Sequence, residues 1–534
     1  VPDLQPVPVR HAANGMVAAI DHLAAGAGLD ALRRGGSAAD AAVATSAVLA
    51  VTSQHLCGMG GDLWAVVHPG PGEEVVALDA SGRAGSGADP DRLTAAGHTT
   101  VPATGDVAAV PVPGCVDGWL ALHRRFGRLA WPDLLVAARR YATDGFPASP
   151  GLVAALPRVA GLPDAADYRA AGPVRPGTLV RRPGVARALA DLAGLGRAGF
   201  YGGEFGAGLL ALGAGEYTAD DLDRPLADWV APVAAEAWGH RLWTAPPASQ
   251  GYLTVAAAWI ADGLDVPVDP ADPQWAHLLI EACRQAGHDR VAVLHEGADG
   301  AALVAPARLA ARRAAVRADA AGDLGGPGAA GDTVALCAVD ADRQGVSLIQ
   351  SNASGWGSGL IVPGVRIFLH NRGCGFSLRP GHPAAYGPGR RPPHTLSPLV
   401  VTAGDGTLRA VLGTMGGDSQ PQILLQLAAR LLHGAEDAAG AVAAGRFSLC
   451  APPGADGVPT DDGFGTWTGG GRVGVRLEGH APAWDAALRR LGHVVGRDEA
   501  WSGAFGHAHV IHVGDAVLTG GSDPRPLAGG VVGW

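Results

Sequence analysis

Three short segments hold the residue types that acyl transfer needs. Gly331-Asp-Thr-Val-Ala-Leu-Cys-Ala-Val-Asp340 places Thr333 ahead of an alternating apolar strand. Gln350-Ser-Asn-Ala-Ser-Gly-Trp-Gly-Ser-Gly359 is a hydroxyl-rich glycine loop, and Met415-Gly-Gly-Asp-Ser-Gln-Pro-Gln422 carries a glycine pair. A threonine hydroxyl is a weak nucleophile and needs a base. If Thr333 attacked its own Asp332–Thr333 peptide carbonyl, the cut would leave it with a free α-amine. Such an amine has a reference pKa of ~8 and offers a neutral fraction near neutral pH to take the proton. Nucleophile and base would then share one residue. The Gly/Ser loop would position it, and the backbone N–H groups of Gly416 and Gly417 would hold an oxyanion.

The elements around these segments follow from local pattern. His22 to Arg33 reads as a helix ending at Gly35-Gly36, and Ser37 is a plausible N-cap for the Ala-rich helix that follows. After Gly58-Met-Gly-Gly-Asp62 come two short strands, Leu63 to Val67 and Val75 to Leu78. Residues 115 to 145 read as helical, 150 to 235 as mostly helix with Pro breaks, and Gln274 to Val293 as one helix with an Asp289–Arg290 ion pair. The stretch 294–332 is rich in Ala, Gly and Asp with few large apolar residues, and reads as an exposed linker. Strands are expected at Thr333 to Val339, Gly345 to Gln350, Arg366 to Leu369, Ser397 to Thr402 and Leu408 to Gly413, then a helix from Gln420 to Leu432. The expected organisation is a helix-rich segment, residues 1–332, ending in the linker, and a strand-rich segment, residues 333–534.

Composition narrows the classes. The 534 residues are 48% hydrophobic, enough for a large core, and only 17% charged. Net charge is −10, with 40 basic residues that are all arginine and no basic cluster, which argues against nucleic acid as a partner. The Ala38 to Val51 stretch is interrupted by Asp40 and too short to span a bilayer. No membrane partner is expected, and a soluble cytoplasmic protein is the default expectation, with a signal removed before residue 1 left open. Six scattered cysteines without a C-x-x-C read as buried apolar residues. His507 and His509 alternate on a probable strand, a spacing that can ligate a metal, but no carboxylate or cysteine accompanies them. They are expected near a pocket wall, and no metal or organic cofactor is expected.

Taken in order, these segments resemble the γ-glutamyltransferase family of N-terminal-nucleophile hydrolases. The resemblance also rests on Gly35-Gly-Ser-Ala-Ala-Asp-Ala-Ala42, Gly58-Met-Gly-Gly-Asp62, Pro111-Val-Pro-Gly114, Pro246-Pro-Ala-Ser-Gln-Gly251, Ser397-Pro398 and Ser522-Asp-Pro-Arg525. It implies an α+β fold, a four-layer αββα sandwich. It also implies self-cleavage between Asp332 and Thr333 into a large and a small chain that form one unit, singly or as a homodimer or (αβ)2. Thr333 would be the nucleophile, Ser351 would stand where the family has an assisting threonine, and Gly416 with Gly417 would form the oxyanion hole.

Other positions depart from the family. The arginine that grips a glutamyl α-carboxylate aligns with Ser81, leaving Arg83 two residues on. The aspartate that binds the α-amine aligns with Gly375, the Ser-Ser pair becomes His394-Thr395, and the threonine after the nucleophile becomes Val334. Arg83, Asn352, Arg372, His394 and Thr395 are therefore the expected substrate-binding residues of a changed pocket. The leading expectation is an N-terminal threonine hydrolase or acyltransferase acting on a small-molecule amide or related carbonyl compound other than a standard γ-glutamyl one. Cleavage of a carbon–carbon bond in a natural-product pathway, true γ-glutamyl chemistry, and a non-catalytic homologue are the alternatives.

Overall fold

The strand Val334–Val339 is buried along its whole length, and its alternate residues feed two different cores. Val334, Leu336 and Ala338 join a cluster with the helices His22–Arg33, Ala38–Thr52 and Cys115–Phe126. Ala335, Cys337 and Val339 point the other way, into clusters with residues of a second sheet. A strand buried on both faces implies layers on both sides. The computed structural model, which describes residues 8–169, 173–324, 333–450 and 474–534, has those layers.

Among the described residues, two seven-stranded sheets face each other. The first sheet runs, edge to edge, Gly530–Gly533, Met16–Ala19, Val334–Val339, Gly345–Ser351, Asp62–His68, Val76–Ala80, Asp228–Val230. The opposing sheet runs Arg10–Ala12, Leu518–Ser522, Ala508–Val513, Leu408–Thr414, Leu399–Ala403, His240–Thr244, Val233–Ala237. All the pairings within them are antiparallel. Tyr252–Asp262 and Gln420–Ala428 cover the outer face of the opposing sheet, and Pro273–Gly287 packs on both helices. The fold is the expected αββα sandwich.

Local chemistry accounts for the helices that hold the centre. Ser37 and Asp40 form a reciprocal capping box (Asp40 N–H to Ser37 Oγ 3.1 Å, Ser37 N–H to Asp40 Oδ2 3.0 Å). Every residue of Ala38–Thr52 is buried, as befits a helix apolar on all sides. Ser46 Oγ donates to Gln350 Oε1 at 2.5 Å and accepts from Trp119 Nε1 at 2.6 Å, tying this helix to the strand that ends in Ser351.

Three expectations need correction. The division into a helix-rich and a strand-rich segment holds for the helices but not for the sheets: among the described residues sixteen α-helices precede residue 333 and three follow it, whereas the two large sheets take seven strands from each side. The linker expected from 294 is ordered at first: Gly300–Leu303 and Pro306–Ala314 are helices. Asp299 caps one and a proline starts the other, while Leu303 and Leu309 are buried in the outer core. Two buried leucines six residues apart, together with Arg308 and Arg312 paired to Asp289, dock a segment whose composition looks unstructured. The Gln274 to Val293 helix breaks after Gly287, so Asp289 and Arg290 point apart. Asp289 pairs with Arg308 and Arg312, and Arg290 with Asp418. All six cysteines are free, four of them buried.

Candidate active site

Strand register builds the site. Val334 pairs with Gln350, so one residue further Thr333 stands opposite Ser351. Ser351 pairs with Asp62, and Leu63 with Ala80, which sets Asp62 opposite Ser81. Thr333, Ser351, Asp62 and Ser81 thus form a row across one end of the sheet, each step about 4.8 Å. Their parity is that of Ala335, Ile349, Trp64 and Ala77, all in the inter-sheet clusters, so the row faces the opposing sheet.

Thr333 is fully buried, and its Oγ1 lies 2.8 Å from Ser351 Oγ. Ser351 Oγ also accepts from Ala353 N–H at 2.8 Å. Ala353 (φ 72°) and Trp356 (φ 62°) curl the loop back on itself. Trp356 anchors it, its indole N–H donating to Ala155 O at 2.8 Å while its ring packs against Tyr168 and Phe368. Asp332, the other expected processing residue, lies outside the described residues.

The next position in the row is the hub of a buried polar network. Asp62 Oδ2 accepts from Arg372 Nε at 2.8 Å, with His394 Nε2 at 3.0 Å and His370 Nδ1 at 3.2 Å. Arg372 also donates to Thr395 Oγ1 at 2.9 Å. Burial alone would raise the Asp62 carboxyl, but the Arg372 guanidinium and the His394 hydrogen bond hold it well below the usual range. Leu396 N–H donates to His394 Nδ1 at 3.3 Å, so the partners assign His394 as the neutral Nε2–H tautomer. Burial lowers its pKa to about 4. The fold therefore brings three expected binding residues, Arg372, His394 and Thr395, together around Asp62.

A pH dependence follows. An unfolded histidine titrates near 6.5, whereas folded His394, and His507 by the same burial, stay neutral down to about 4. Between those values the unfolded chain binds protons that the folded one does not. The stabilisation is complete above about pH 6.5 and is lost as pH falls through that window. Thermal melts should be level from pH 7 to 8 and drop steadily from 6.5 to 4. A melting temperature unchanged across the lower interval would refute the assignment.

On the opposing sheet, Leu408–Thr414 runs into Gly416 and Gly417, with φ of 137° and 53° that favour glycine. A Cβ on Gly416 would lie 2.7 Å from Ser419 Oγ and 3.0 Å from Ile423 Cδ1. Gln250 braces this turn, its amide donating to Gly417 O at 3.0 Å and Thr395 O at 3.1 Å. Asp418 follows, paired with Arg290 at 3.0 Å, and burial pushes its pKa up to about 6 despite that partner.

Two expected binding residues lie elsewhere. Asn352 is turned inward, donating to Gln54 O at 2.9 Å. Arg83 is half-buried against Asp228 and Glu296, and the guanidinium that reaches Ser81 belongs to Arg391, which donates to Ser81 Oγ at 3.2 Å and pairs with Asp79 and Asp228. Sequence reasoning missed Asp62 as a hub, Gln250, Arg391 and Asp418. Asp62 and Gln250 lie in the quoted glycine and Pro-Pro motifs, which was the signal available for them. His509 Nδ1 lies 3.2 Å from Ser522 Oγ, and His507 lines a cavity of about 690 Å³ beside His55 and Met415. Among the described residues, His277, Glu281 and His493 stand close enough to share a cation. Each already has a protein partner: His277 bridges His493 and Arg317 O, while Glu281 holds Arg284 and Gly322 N–H. No helix among the described residues is long and apolar enough to cross a membrane.

Comparison with known proteins agrees with this architecture. The sequence model of the family described as Gamma-glutamyltranspeptidase matches residues 24–533. The oxamate amidohydrolase proenzyme of Klebsiella pneumoniae is 34% identical over 533 residues, covering 96% of this chain and 97% of that one. A glutathione hydrolase-like proenzyme of Bacillus subtilis is 33% identical over 534 residues, with 96% and 97% covered. Among solved structures, the cephalosporin acylase from Bacillus halodurans superposes with a TM-score of 0.87 at 32% identity, over 100% of this chain and 99% of its own. With the row of Thr333, Ser351, Asp62 and Ser81 facing the opposing sheet of an αββα sandwich and this similarity along nearly its whole length, the chain belongs to the gamma-glutamyltranspeptidase family of hydrolases and acyltransferases.

Proposed function

We propose that the protein is cut before Thr333 and works as an N-terminal threonine hydrolase on an amide other than a standard γ-glutamyl compound. The observation that carries this reading is the Thr333–Ser351 hydroxyl pair, 2.8 Å apart and buried at the strand end. In the cut protein the α-amine of Thr333 takes the proton from Oγ1 as that oxygen attacks the substrate carbonyl. Ser351 holds the attacking oxygen in line. The N–H groups of the Gly416–Gly417 turn, fixed through Gln250, receive the oxyanion. The amine then leaves with a proton, and water resolves the ester on Thr333. Residues 1–332 and 333–534 remain together as the large and small chains.

The substrate reading rests on what surrounds the row. Arg391 on Ser81 is saturated by Asp79 and Asp228, and Arg372 is committed to Asp62 and Thr395. Gly375 offers no carboxylate for an α-amine. Each missing charge-assisted contact is worth about 1.5–3 kcal/mol, so a γ-glutamyl anilide should be turned over at least about 100-fold less efficiently than the preferred amide. Comparable kcat/KM values would overturn the substrate reading. Stepwise end-group sequencing of active protein tests the rest: a chain beginning Thr-Val-Ala-Leu is expected, and active material without it would sink the mechanism.

A further inference from the structure

A cavity of about 630 Å³ includes in its walls chain neighbours of several site residues. Ser354 belongs to the Ser351 loop, Cys374 and Gly375 follow Arg372, and Pro393 precedes His394. Arg290, whose partner Asp418 comes directly after Gly417, lies in the same wall. The charged side chains in its lining are two guanidinium groups. Arg290, Arg379, His98 and His382 line it, and among the described residues no Asp or Glu does, in a chain where acidic residues outnumber basic ones 50 to 40.

Arg290 is built into its place. Its side chain is only 8% exposed, one nitrogen donates to Asp418 Oδ1 at 3.0 Å, and its Nε is buried without a partner. Asp418 offsets the charge of Arg290 but leaves donors unused. Arg379 stands exposed and has no acidic partner among the described residues. A buried guanidinium and an exposed one, with the Ser354 and Ser377 hydroxyls in the same lining, form a donor set with an excess of positive charge. Guanidinium groups favour planar carboxylates through paired hydrogen bonds.

From this we infer that the cavity is a carboxylate subsite, separate from the Asp62–Arg372 cluster, and that the substrate is an acidic amide whose anionic end reaches Arg290. The inference rests on the reading of Thr333 as the acylated residue, because that residue defines which end of the substrate remains to be held. It also accounts for the buried Arg290, which neither the row nor the glycine turn uses directly.

Calorimetric titration with succinate and with its neutral diamide, succinamide, tests it. Saturable succinate binding is expected, at least tenfold tighter than succinamide. Arg379→Gln should weaken succinate about threefold to tenfold and leave succinamide unchanged, and Arg290→Gln should weaken it more than tenfold. Because Arg290→Gln strands Asp418 and could disturb folding, the exposed Arg379→Gln variant is the decisive one if the other melts early. Equal affinity for the two probes, or succinate binding untouched by Arg379→Gln, would overturn the inference. Succinate binding does not require a nucleophile. Protein that binds succinate through Arg379 but is never cut before Thr333 keeps this inference and loses the catalytic one, and cut, active protein indifferent to succinate does the reverse.

Discussion

Thr333→Ala should yield a single uncut 534-residue chain with no acyl adduct and amide turnover lowered by at least about 10⁴-fold. The size of the effect follows from the arrangement proposed above. One residue supplies both the attacking oxygen and, through its α-amine, the base, so no neighbouring group can replace it. Ser351 holds its hydroxyl against that of Thr333, yet its backbone is fixed within a strand by pairing with Asp62. Thr333→Ser keeps the oxygen and should still be cut, more slowly. The methyl that restricts the side-chain rotamer is gone, although the strand beyond it is unchanged. Intact-mass spectrometry of both variants decides the matter: cleavage in Thr333→Ala at the rate of the parent would exclude Thr333 as the cutting residue.

The second large effect belongs to Asp62. Replacing it with Asn keeps shape and volume but removes the anion that faces Arg372, His394 and His370, all fully buried or nearly so. Breaking one side of a buried ion pair typically costs about 3–5 kcal/mol, because the surviving charge stays desolvated. Asp62→Asn should therefore melt well below the parent. Arg372→Met in the same background should recover some of the loss, since the pair couples strongly when its members touch. An Asp62→Asn protein that melts within about a degree of the parent, or a double variant no better than the sum of its singles, would show that the network is not held by that charge. Loss of His394 orientation should also lower turnover, and a KM-against-kcat comparison on the surviving fold reports it.

How much was legible in the sequence depends on how far apart in the chain the partners lie. The Ser37 N-cap, the helix His22–Arg33 and the strand after Thr333 were readable because each is coded within a few residues. The Thr333–Ser351 pair was within reach as well, since its two strands are joined by a short turn. Asp62 joins the row from far upstream, and its partners Arg372 and His394 lie some 300 residues away, beyond any local pattern. Arg83 was named for its proximity in sequence to the missing arginine, whereas Arg391, from another loop, reaches Ser81 in space. Asp289–Arg290 was read as a pair because the residues are adjacent, but a helix break sends the two side chains to different partners. The strands Val233–Ala237 and His240–Thr244 went unmarked within an Ala-rich stretch, where tertiary pairing with Leu399–Ala403 outweighs weak local propensity.

The even interleaving of strands from before and after residue 333 has a consequence for how the protein ages. Met16–Ala19 lies between Val334–Val339 and the terminal Gly530–Gly533, so the main-chain bonding of one piece runs through the other. If the backbone is severed before Thr333, as proposed above, the native state then persists on the strength of contacts made while it was continuous. If heat then pulls the pieces apart, regaining activity becomes a second-order encounter between two fragments with exposed sheet edges. Recovery after cooling should thus fall on dilution for mature protein but not for the uncleavable variant, and operational lifetime would be set by the rate of opening.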